Sequence, residues 1–244
     1  MFRPVIIIPC FNHTDVFENF APKIANLGIP VLVIDDGSPQ TQSQRLKNIC
    51  SAHNFTYVRQ FPNAGKGCAV RKGFFAARSM GFTHALQIDA DGQHDFADIK
   101  KFFALARKNP ESLIVGNPVY DHSAPRARRI GRKITNFWVA VETLNFRMPD
   151  SMCGMRVYPL GETCRVAGRL VFNRMGFDIE ILVKLYWRGL KIIAQPTRVI
   201  YPIGGVSNFR MWRDNFYISL LHTYLCAIMP IGICQRIINY GKRN

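Results

Sequence analysis

Residues 31–38 read VLVIDDGS and residues 85–93 read ALQIDADGQ, so twice an apolar run typical of a buried strand ends in two carboxylates. Similar apolar runs begin at Val5, Thr56 and Leu113. The stretches between the runs have the length and composition of helices: 16–27, 40–53, 66–80 and 96–108. Continuous apolar strands that alternate with helices are typical of a parallel sheet covered on both faces. We therefore predict an open, mostly parallel α/β sheet that binds its ligands at the carboxyl ends of the strands.

The composition points to an anionic partner. With 244 residues, 48% of them apolar and 20% charged, the chain is long enough for one domain with a sizeable core and is not disordered. Its 32 Lys and Arg against 16 Asp and Glu leave a formal net charge of +16. Such an excess implies a nucleic acid, a nucleotide, a phospholipid surface or a lipid phosphate as partner.

The seven cysteines are odd in number, and none has CxxC spacing. We therefore expect neither disulfides nor a structural zinc site. Because the first apolar run is also too short for a signal peptide, the sequence predicts a reducing, cytosolic compartment.

Beyond residue 120 the pattern changes. Residues 121–133, DHSAPRARRIGRK, carry six basic groups (counting His122) and one acid, and they predict a loop that leads into a helix from about Arg132 to Leu144. Further elements are predicted in three places: a helix at 177–188 and strands at 192–194 and 199–201. Since there is no internal repeat and no low-complexity linker, we expect no second independent domain.

The 21 residues from Asn215 to Gln235 contain no Lys, Arg, Asp or Glu. A bilayer span needs about 20 apolar residues, but we expect Pro230 to break a helix here. Arg210, Arg213 and Arg236 flank the stretch. A pair of interfacial helices touching anionic lipid fits this pattern best. A packed core helix, a dimer contact and a true membrane span remain alternatives.

Asp89 and Asp91 stand one residue apart at a strand end, where both carboxylates can reach one divalent cation, and Gln93 offers a neutral oxygen. The simpler interpretation is a polar turn in which the Asp side chains accept hydrogen bonds from loop amides. Two acidic strand ends in one sheet nevertheless converge on one crevice. The turn PNAGKG at 62–67 adds Lys66 and backbone amides that can receive phosphate, although the Walker A spacing is absent.

An ordered set of segments resembles family 2 glycosyltransferases with the GT-A fold. The segments are IIIPCFN (6–12), VIDDGS (33–38), NAGKG (63–67), LQIDADGQH (86–94), DSMCGMR (150–156) and FDIEILVKLYWRG (177–189). They are similar to the corresponding segments of dolichyl- and polyprenyl-phosphate mannosyltransferases. The resemblance runs from residue 4 to about 214, and it implies a GT-A glycosyltransferase domain at 1–214 followed by an apolar, membrane-associating segment at 215–244.

The resemblance implies an inverting hexosyltransferase. The sugar would come from a nucleotide-sugar, GDP-mannose or a UDP-sugar, with Mg²⁺ or Mn²⁺ as cofactor. It would go to a lipid-linked acceptor such as polyprenyl phosphate, in the synthesis of cell-envelope glycan or lipid. A soluble donor and a lipid acceptor would meet at the cytoplasmic side of the cell membrane, with the protein peripheral or monotopic.

The resemblance also implies roles for single residues. Those implied to bind the nucleotide-sugar are Pro9, Phe11, His13, Asp35, Asp36, Lys66 and Asp89. The implied metal ligands are Asp89, Asp91 and Gln93, and the implied phosphate or acceptor residues are Arg128, Arg129, Arg132, Lys133 and Arg210. The catalytic candidates are Asp91, which would support the leaving group, and Asp178 or Glu180, either of which would act as base on a hydroxyl acceptor. A loop at 204–207 would close over the donor.

His13 departs from the family pattern, which usually has Glu at this position. An imidazole does not accept hydrogen bonds from ribose hydroxyls as a carboxylate does, so the nucleotide stays open.

Other functions fit the sequence less well. A nucleic-acid binder suits the charge, but no RNA- or DNA-binding signature is present, and we expect no nucleic-acid partner. A nucleotidyltransferase would carry a glycine- and arginine-rich loop after the first strand, where this chain has Pro9-Cys10-Phe11-Asn12. Asp89 and Asp91 argue against an inactive relative. Transfer to a non-phosphate lipid or to a glycan hydroxyl remains an alternative, and the sequence leaves the sugar and the oligomeric state open.

Overall fold

Seven strands form one sheet in a computed structural model that describes residues 1–120, 126–199 and 210–241. The strands are β1 (Pro4–Cys10), β2 (Val31–Asp36), β3 (Thr56–Gln60), β4 (His84–Gln87), β5 (Leu113–Tyr120), β6 (Arg156–Pro159) and β7 (Ile192–Val199). Their order across the sheet is β3-β2-β1-β4-β6-β5-β7. Only β6 runs antiparallel to its neighbours, β4 and β5. The predicted mostly parallel α/β sheet is confirmed.

Eight helices complete the described part of the chain. They are α1 (Thr14–Ala25), α2 (Gln40–Ala52), α3 (Lys66–Ser79), α4 (Asp98–Lys108), α5 (Arg126–Thr143), α6 (Leu160–Ala167), α7 (Phe177–Trp187) and α8 (Met211–Gly241). Because successive strand residues point to opposite faces, Ile7 of β1 belongs to the core shared with α3, α6 and α7, whereas Ile6 and Ile8 belong to the core shared with α1, α2 and α4. Both faces of the sheet are therefore buried, which explains the unbroken apolar runs.

Two elements escape the sequence patterns, namely β6 and α6. The strand β6 is only four residues long and begins with Arg156, whose side chain is fully buried. Its guanidinium donates hydrogen bonds to the carbonyls of Ser151, Cys153 and Asp178 at 2.6 to 2.8 Å. Backbone carbonyls thus satisfy a charged residue inside the sheet, and an apolar pattern does not reveal such a strand.

The second half also differs in its element bounds. The predicted loop at 121–133 is wrong from Arg126 onward, because α5 begins there and carries the basic run on its first turns. The strand predicted at 192–194 is longer, since β7 runs from Ile192 to Val199, and residues 200 and 201 of the strand predicted at 199–201 lie outside the described residues. The expected closing loop at 204–207 lies outside the described residues.

The C-terminal apolar stretch is a single helix, so the predicted break at Pro230 and the predicted helix pair are wrong. Helix α8 continues through Pro230, and packing on α7 accompanies this continuation. Gly232 lies against the ring of Trp187, and Arg236 Nη1 donates a hydrogen bond of 2.6 Å to the carbonyl of Tyr186. Residues 211–239 are long and apolar enough to cross a membrane, and 28% of their most apolar window is buried. Helix α8 therefore covers α5 and α7 with one side and leaves much of its surface exposed.

Candidate active site

A cleft of about 510 Å³ opens at the carboxyl ends of β1, β2 and β3. Its lining residues are Phe11, Gly37, Ser38, Pro39, Gln40, Arg59, Phe61 and Asn63. The ring of Phe61 is 77% exposed, and the guanidinium of Arg59 lies 5.4 Å from its centroid. Aromatic faces beside a guanidinium suit a flat heterocycle. Of these residues only Phe11 was predicted. The weak apolar run of β3 gave no signal for Arg59 and Phe61.

Asp35 is fully buried and holds the loop after β2. Its carboxylate accepts hydrogen bonds from Ser38 N at 2.9 Å, Ser43 Oγ at 2.6 Å and Tyr57 OH at 2.8 Å. Burial alone would raise its pKa, but these hydrogen bonds outweigh burial and hold the pKa below the ordinary value. Asp35 therefore fixes the wall of the cleft.

Asp36 joins β2 to the PNAGKG turn. Its oxygens accept hydrogen bonds from Gln60 Nε2 at 2.7 Å, Asn63 Nδ2 at 3.0 Å, Ala64 N at 3.0 Å and Gly65 N at 2.9 Å. Burial raises the pKa of Asp36 even against these donors. Asp36 is only 2% exposed, and its carboxylate serves to hold the turn.

The expectation that the backbone amides of this turn receive phosphate is wrong for three of them. Ala64 N and Gly65 N donate to Asp36, while Gly67 N donates to the carbonyl of Asn173 at 2.8 Å. These donors have intramolecular partners. The turn instead delivers one side chain to the crevice, that of Lys66.

The ammonium of Lys66 lies between two carboxylates. Its Nζ is 2.8 Å from Asp89 Oδ1, 2.9 Å from Asp89 Oδ2 and 2.9 Å from Asp178 Oδ2. Burial alone would lower the pKa of Lys66, but the charges of Asp178 and Asp89 raise it well above its usual range. The predicted residues Lys66, Asp89 and Asp178 thus form one charged cluster at the carboxyl end of β4.

The carboxylates of the DAD segment lack full compensation. Asp89 Oδ1 touches Lys66 but is buried without an aligned hydrogen bond. Asp91 Oδ1 accepts a hydrogen bond from Gln93 N at 3.0 Å, and burial followed by the charge of Asp89 raises the pKa of Asp91. A pair of carboxylates whose charge is only partly compensated fits a divalent cation. No cluster of three His, Cys, Asp or Glu ligands occurs in the described residues, so such a cation would need amide, water or phosphate oxygens as well.

Behind these carboxylates lies His94, whose role the sequence did not suggest. The imidazole is 9% exposed, its Nδ1 has no hydrogen-bond partner, and burial lowers its pKa. The charges of Asp89, Asp91 and Arg132 all act on this ring. Its place at the end of LQIDADGQH was the only signal available.

The segment DSMCGMR (150–156) packs against the site through Gly154 and Asp150. A Cβ on Gly154 would lie 2.1 Å from Asp89 Oδ2, so only glycine lets this carboxylate lie against the chain. Asp150 Oδ1 accepts hydrogen bonds from Arg132 Nη1 at 2.7 Å and Met152 N at 2.9 Å. Arg132 is therefore anchored to this segment, and its charge acts on the ring of His94.

The other predicted residues lie farther from the cluster or serve the backbone. Glu180 is fully buried and accepts hydrogen bonds from Val171 N at 3.0 Å, Phe172 N at 2.8 Å and Lys184 Nζ at 2.6 Å. Its carboxylate faces the 170–172 segment instead of the crevice.

The remaining positions divide by exposure. Pro9 is buried in β1, and His13 lies half-buried at the start of α1. Arg129, Lys133 and Arg210 are exposed. The side chain of Arg128 lies outside the described part of the structure.

An open sheet with an aromatic cleft beside two strand-end carboxylates defines the GT-A class of nucleotide-sugar transferases. The sequence profile described as Glycosyl transferase family 2 matches residues 5–177. The chain belongs to this family, which confirms the resemblance found in the sequence and makes the protein a glycosyltransferase.

Individual relatives support the same assignment. A dolichyl-phosphate beta-glucosyltransferase of Dictyostelium discoideum is 26% identical over 199 residues, which cover 72% of this chain and 60% of that protein. This chain therefore spans about three fifths of that relative. A UDP-N-acetylglucosamine–dolichyl-phosphate N-acetylglucosaminyltransferase of Methanococcus voltae is 22% identical over 213 residues, with coverage of 80% and 85%.

Solved structures share the fold. Glucosyl-3-phosphoglycerate synthase of Mycobacterium tuberculosis, crystallised with Mn²⁺ and UDP-glucose, superposes with a TM-score of 0.65 at 17% identity, over 89% of this chain and 75% of that one. S. aureus TarS gives 0.63 at 12% identity, over 97% and 71%. At such identities the likeness establishes the GT-A fold alone.

Proposed function

We propose that this glycosyltransferase moves a sugar from a nucleotide-sugar to a polyprenyl or dolichyl phosphate at the cytoplasmic face of the membrane. The reaction would be one metal-dependent displacement with inversion. The proposal depends on the Asp89–Asp91 pair beside the aromatic cleft, whose charge is only partly compensated by Lys66, because a cation and a diphosphate together complete such a site. Both named relatives act on dolichyl phosphate, which supports the acceptor class.

The cleft and the carboxylates divide the donor between them. The nucleobase of the donor would lie against Phe11 and Phe61. Asp35 and Asp36 would hold the loops that form this wall of the cleft. The diphosphate would extend toward Asp89 and Asp91. A divalent cation held there, with Gln93 nearby, supplies charge neutralisation for the leaving diphosphate.

The engaged carboxylates favour a phosphate acceptor over a hydroxyl. Both oxygens of Asp178 accept hydrogen bonds, from Lys66 and from Gln87 at 3.0 Å, and those of Glu180 face the 170–172 segment. Neither is placed to take a proton in the described structure. A phosphate oxygen attacks without losing a proton, whereas a hydroxyl needs a base. We therefore propose structural roles for Asp178 and Glu180.

Two exposed apolar stripes support a membrane-surface site. On α5 they are Ile130, Ile134 and Phe137, which are 59%, 57% and 56% exposed, and on α8 they are Trp212, Phe216 and Leu220, which are 90%, 67% and 48% exposed. We call these six residues the apolar face. Helices α5 and α8 pack against each other. The exposed Arg129, Lys133 and Arg210 lie on or beside them, as expected for helices that lie on anionic lipid.

The test is a transfer assay in vesicles that contain either polyprenyl phosphate or the matching polyprenol, with a panel of GDP- and UDP-sugars. We expect a glycosylated lipid phosphate from one donor, no product from the alcohol, and loss of transfer in EDTA. Asp89→Asn should lower the rate about a hundredfold, the scale of a lost electrostatic stabiliser. Equal transfer to the alcohol would overturn the phosphate acceptor, and full activity in EDTA would overturn metal dependence.

A further inference from the structure

The two carboxylates around Lys66 differ in how firmly they are held. Asp178 is fixed on α7, because Gln87 Nε2 donates to its Oδ1 and Arg156 Nη1 donates to its backbone carbonyl at 2.6 Å. The side chain of Asp178 is 8% exposed. It therefore acts as a rigid anchor for one side of the ammonium.

Asp89 is the more open partner. Its side chain is 24% exposed, and its Oδ1 receives no aligned hydrogen bond. The Cα of Gly154 lies so close that the carboxylate has no room to retreat toward the chain there. The ammonium of Lys66 thus contacts both oxygens of Asp89, which are the oxygens that a divalent ion would need.

A metal ion and an ammonium compete for one carboxylate, since each is attracted to the same oxygens and the two cations repel each other. We propose that the ammonium of Lys66 and a divalent cation would compete for Asp89, and that a donor diphosphate would replace Asp89 as the second anionic partner of the ammonium, with Asp178 as its anchor. This inference rests on the proposed metal-dependent function. It makes Lys66 a positioning residue that couples the metal to the nucleotide.

The coupling has a defined sign. Without a diphosphate, release of Asp89 leaves the ammonium with one partner, so Lys66 opposes metal binding. With a diphosphate present, Lys66 gains a new anionic partner and favours the loaded state. Metal and nucleoside diphosphate should therefore bind with positive cooperativity, which by linkage is equal in both directions.

The experiment measures Mn²⁺ affinity by electron paramagnetic resonance, with and without UDP or GDP, in the wild-type protein and in Lys66→Met. Without nucleotide, we expect Lys66→Met to bind Mn²⁺ about tenfold more tightly, because the competing cation is gone. With Mn²⁺ saturating, the variant should bind the diphosphate about tenfold more weakly. A merely structural role would weaken both affinities together. Lys66→Arg keeps the charge and should retain part of the cooperativity.

Lys66→Met leaves buried carboxylates without a cation, which can unfold the protein. A second variant therefore keeps the test valid if Lys66→Met does not fold. The double substitution Lys66→Met, Asp178→Asn removes one charge of each sign and should also bind Mn²⁺ more tightly than wild type. Unchanged or weaker Mn²⁺ binding in this folded double variant overturns the inference alone, provided that the wild type binds Mn²⁺. A wild-type protein that binds no Mn²⁺, with or without nucleotide, overturns the proposed metal dependence and the inference with it.

Discussion

Gly154 sets the position of Asp89 at the scale of one atom. Because a Cβ at residue 154 would lie 2.1 Å from Asp89 Oδ2, Gly154→Ala must displace the carboxylate or the chain. We expect transfer activity to fall at least tenfold and stability to fall by about 1–3 kcal/mol, the range for overpacking. Denaturant unfolding and the transfer assay measure the two effects.

Gly161→Ala is the matched control, since its nearest atom would be the flexible Arg78 Nη1 at 3.7 Å. It lies in α6, where alanine is favoured over glycine by about 0.5–1 kcal/mol. Equal behaviour of the two variants would show that Asp89 tolerates the displacement.

Asp91 trades stability for ion binding. Burial and the charge of Asp89 raise its pKa above the ordinary 3.8, so the native carboxyl binds its proton more tightly than the unfolded one. Stability is therefore lost as the pH rises from the unfolded pKa through the folded pKa, and the penalty is fully present above the folded pKa. We expect Asp91→Asn to stabilise the protein in EDTA by about 1 kcal/mol, or about 2–4 °C in Tm.

The advantage of Asp91→Asn should disappear toward about pH 3, where Asp91 is mostly protonated in both the folded and the unfolded protein. Mn²⁺ binding should be lost at every pH. Thermal unfolding in EDTA at pH 7 and at about pH 3 tests this. Asp95→Asn is the control, because Asp95 is exposed and an Asn side chain still accepts the hydrogen bond from Ala97 N. If both variants melt together at pH 7, Asp91 carries no electrostatic penalty.

At the scale of elements, the apolar pattern predicted the strands and helices whose apolar residues form the core. The five strands of the first half and their helices appear close to their predicted bounds, because short apolar runs that alternate with helical stretches are typical of a covered parallel sheet. β6 escaped because Arg156 is satisfied by carbonyls that are distant until the chain folds. The helix break predicted at Pro230 was wrong, because the sequence pattern does not contain the tertiary contacts of Trp187 and Arg236 that accompany the continuous helix.

In the site, too, part of the arrangement was predictable from the sequence and part was not. The strand-end carboxylates were predictable as candidates, since topology alone brings such ends together. The partners of those carboxylates were not, because Asp36, Asp178 and Glu180 are engaged by donors from other segments. An isolated acidic motif does not distinguish a ligand from a carboxylate that accepts hydrogen bonds from loop amides.

Helix α8 offers a prediction for the apolar face. Trp212 and Phe216 are exposed, so Trp212→Glu with Phe216→Glu should leave the Tm nearly unchanged. Each removed contact with lipid and each added negative charge should weaken binding to anionic vesicles, and we expect at least a tenfold loss of affinity in co-sedimentation. Phe75→Glu on α3, where the side chain is 44% exposed, is the control and should bind normally. Normal binding by the double variant would place the lipid contact elsewhere.

For the molecule as a whole, the net charge of +16 sets the response to salt. Basic residues near an anionic bilayer contribute about 1 kcal/mol each, and this attraction fades as the Debye length shrinks from about 10 Å at 0.1 M to about 3 Å at 1 M. The apolar contribution does not fade. We expect partial release from phosphatidylserine vesicles at high salt, and weak binding to neutral vesicles at any salt. Complete release at high salt would mean that the apolar face stays out of the lipid.

The contact between Lys66 and Asp178 joins positions 112 residues apart in the chain, and this has a consequence for how the protein matures. Contacts between residues this far apart in the chain form late in folding. The entropy of closing the long loop is lost before the contact stabilises the chain. The crevice should therefore be among the last regions to acquire native structure during refolding. A ligand that recognises the finished crevice alone would stabilise the native state in proportion to the logarithm of its concentration, and its uptake would report the final step of folding.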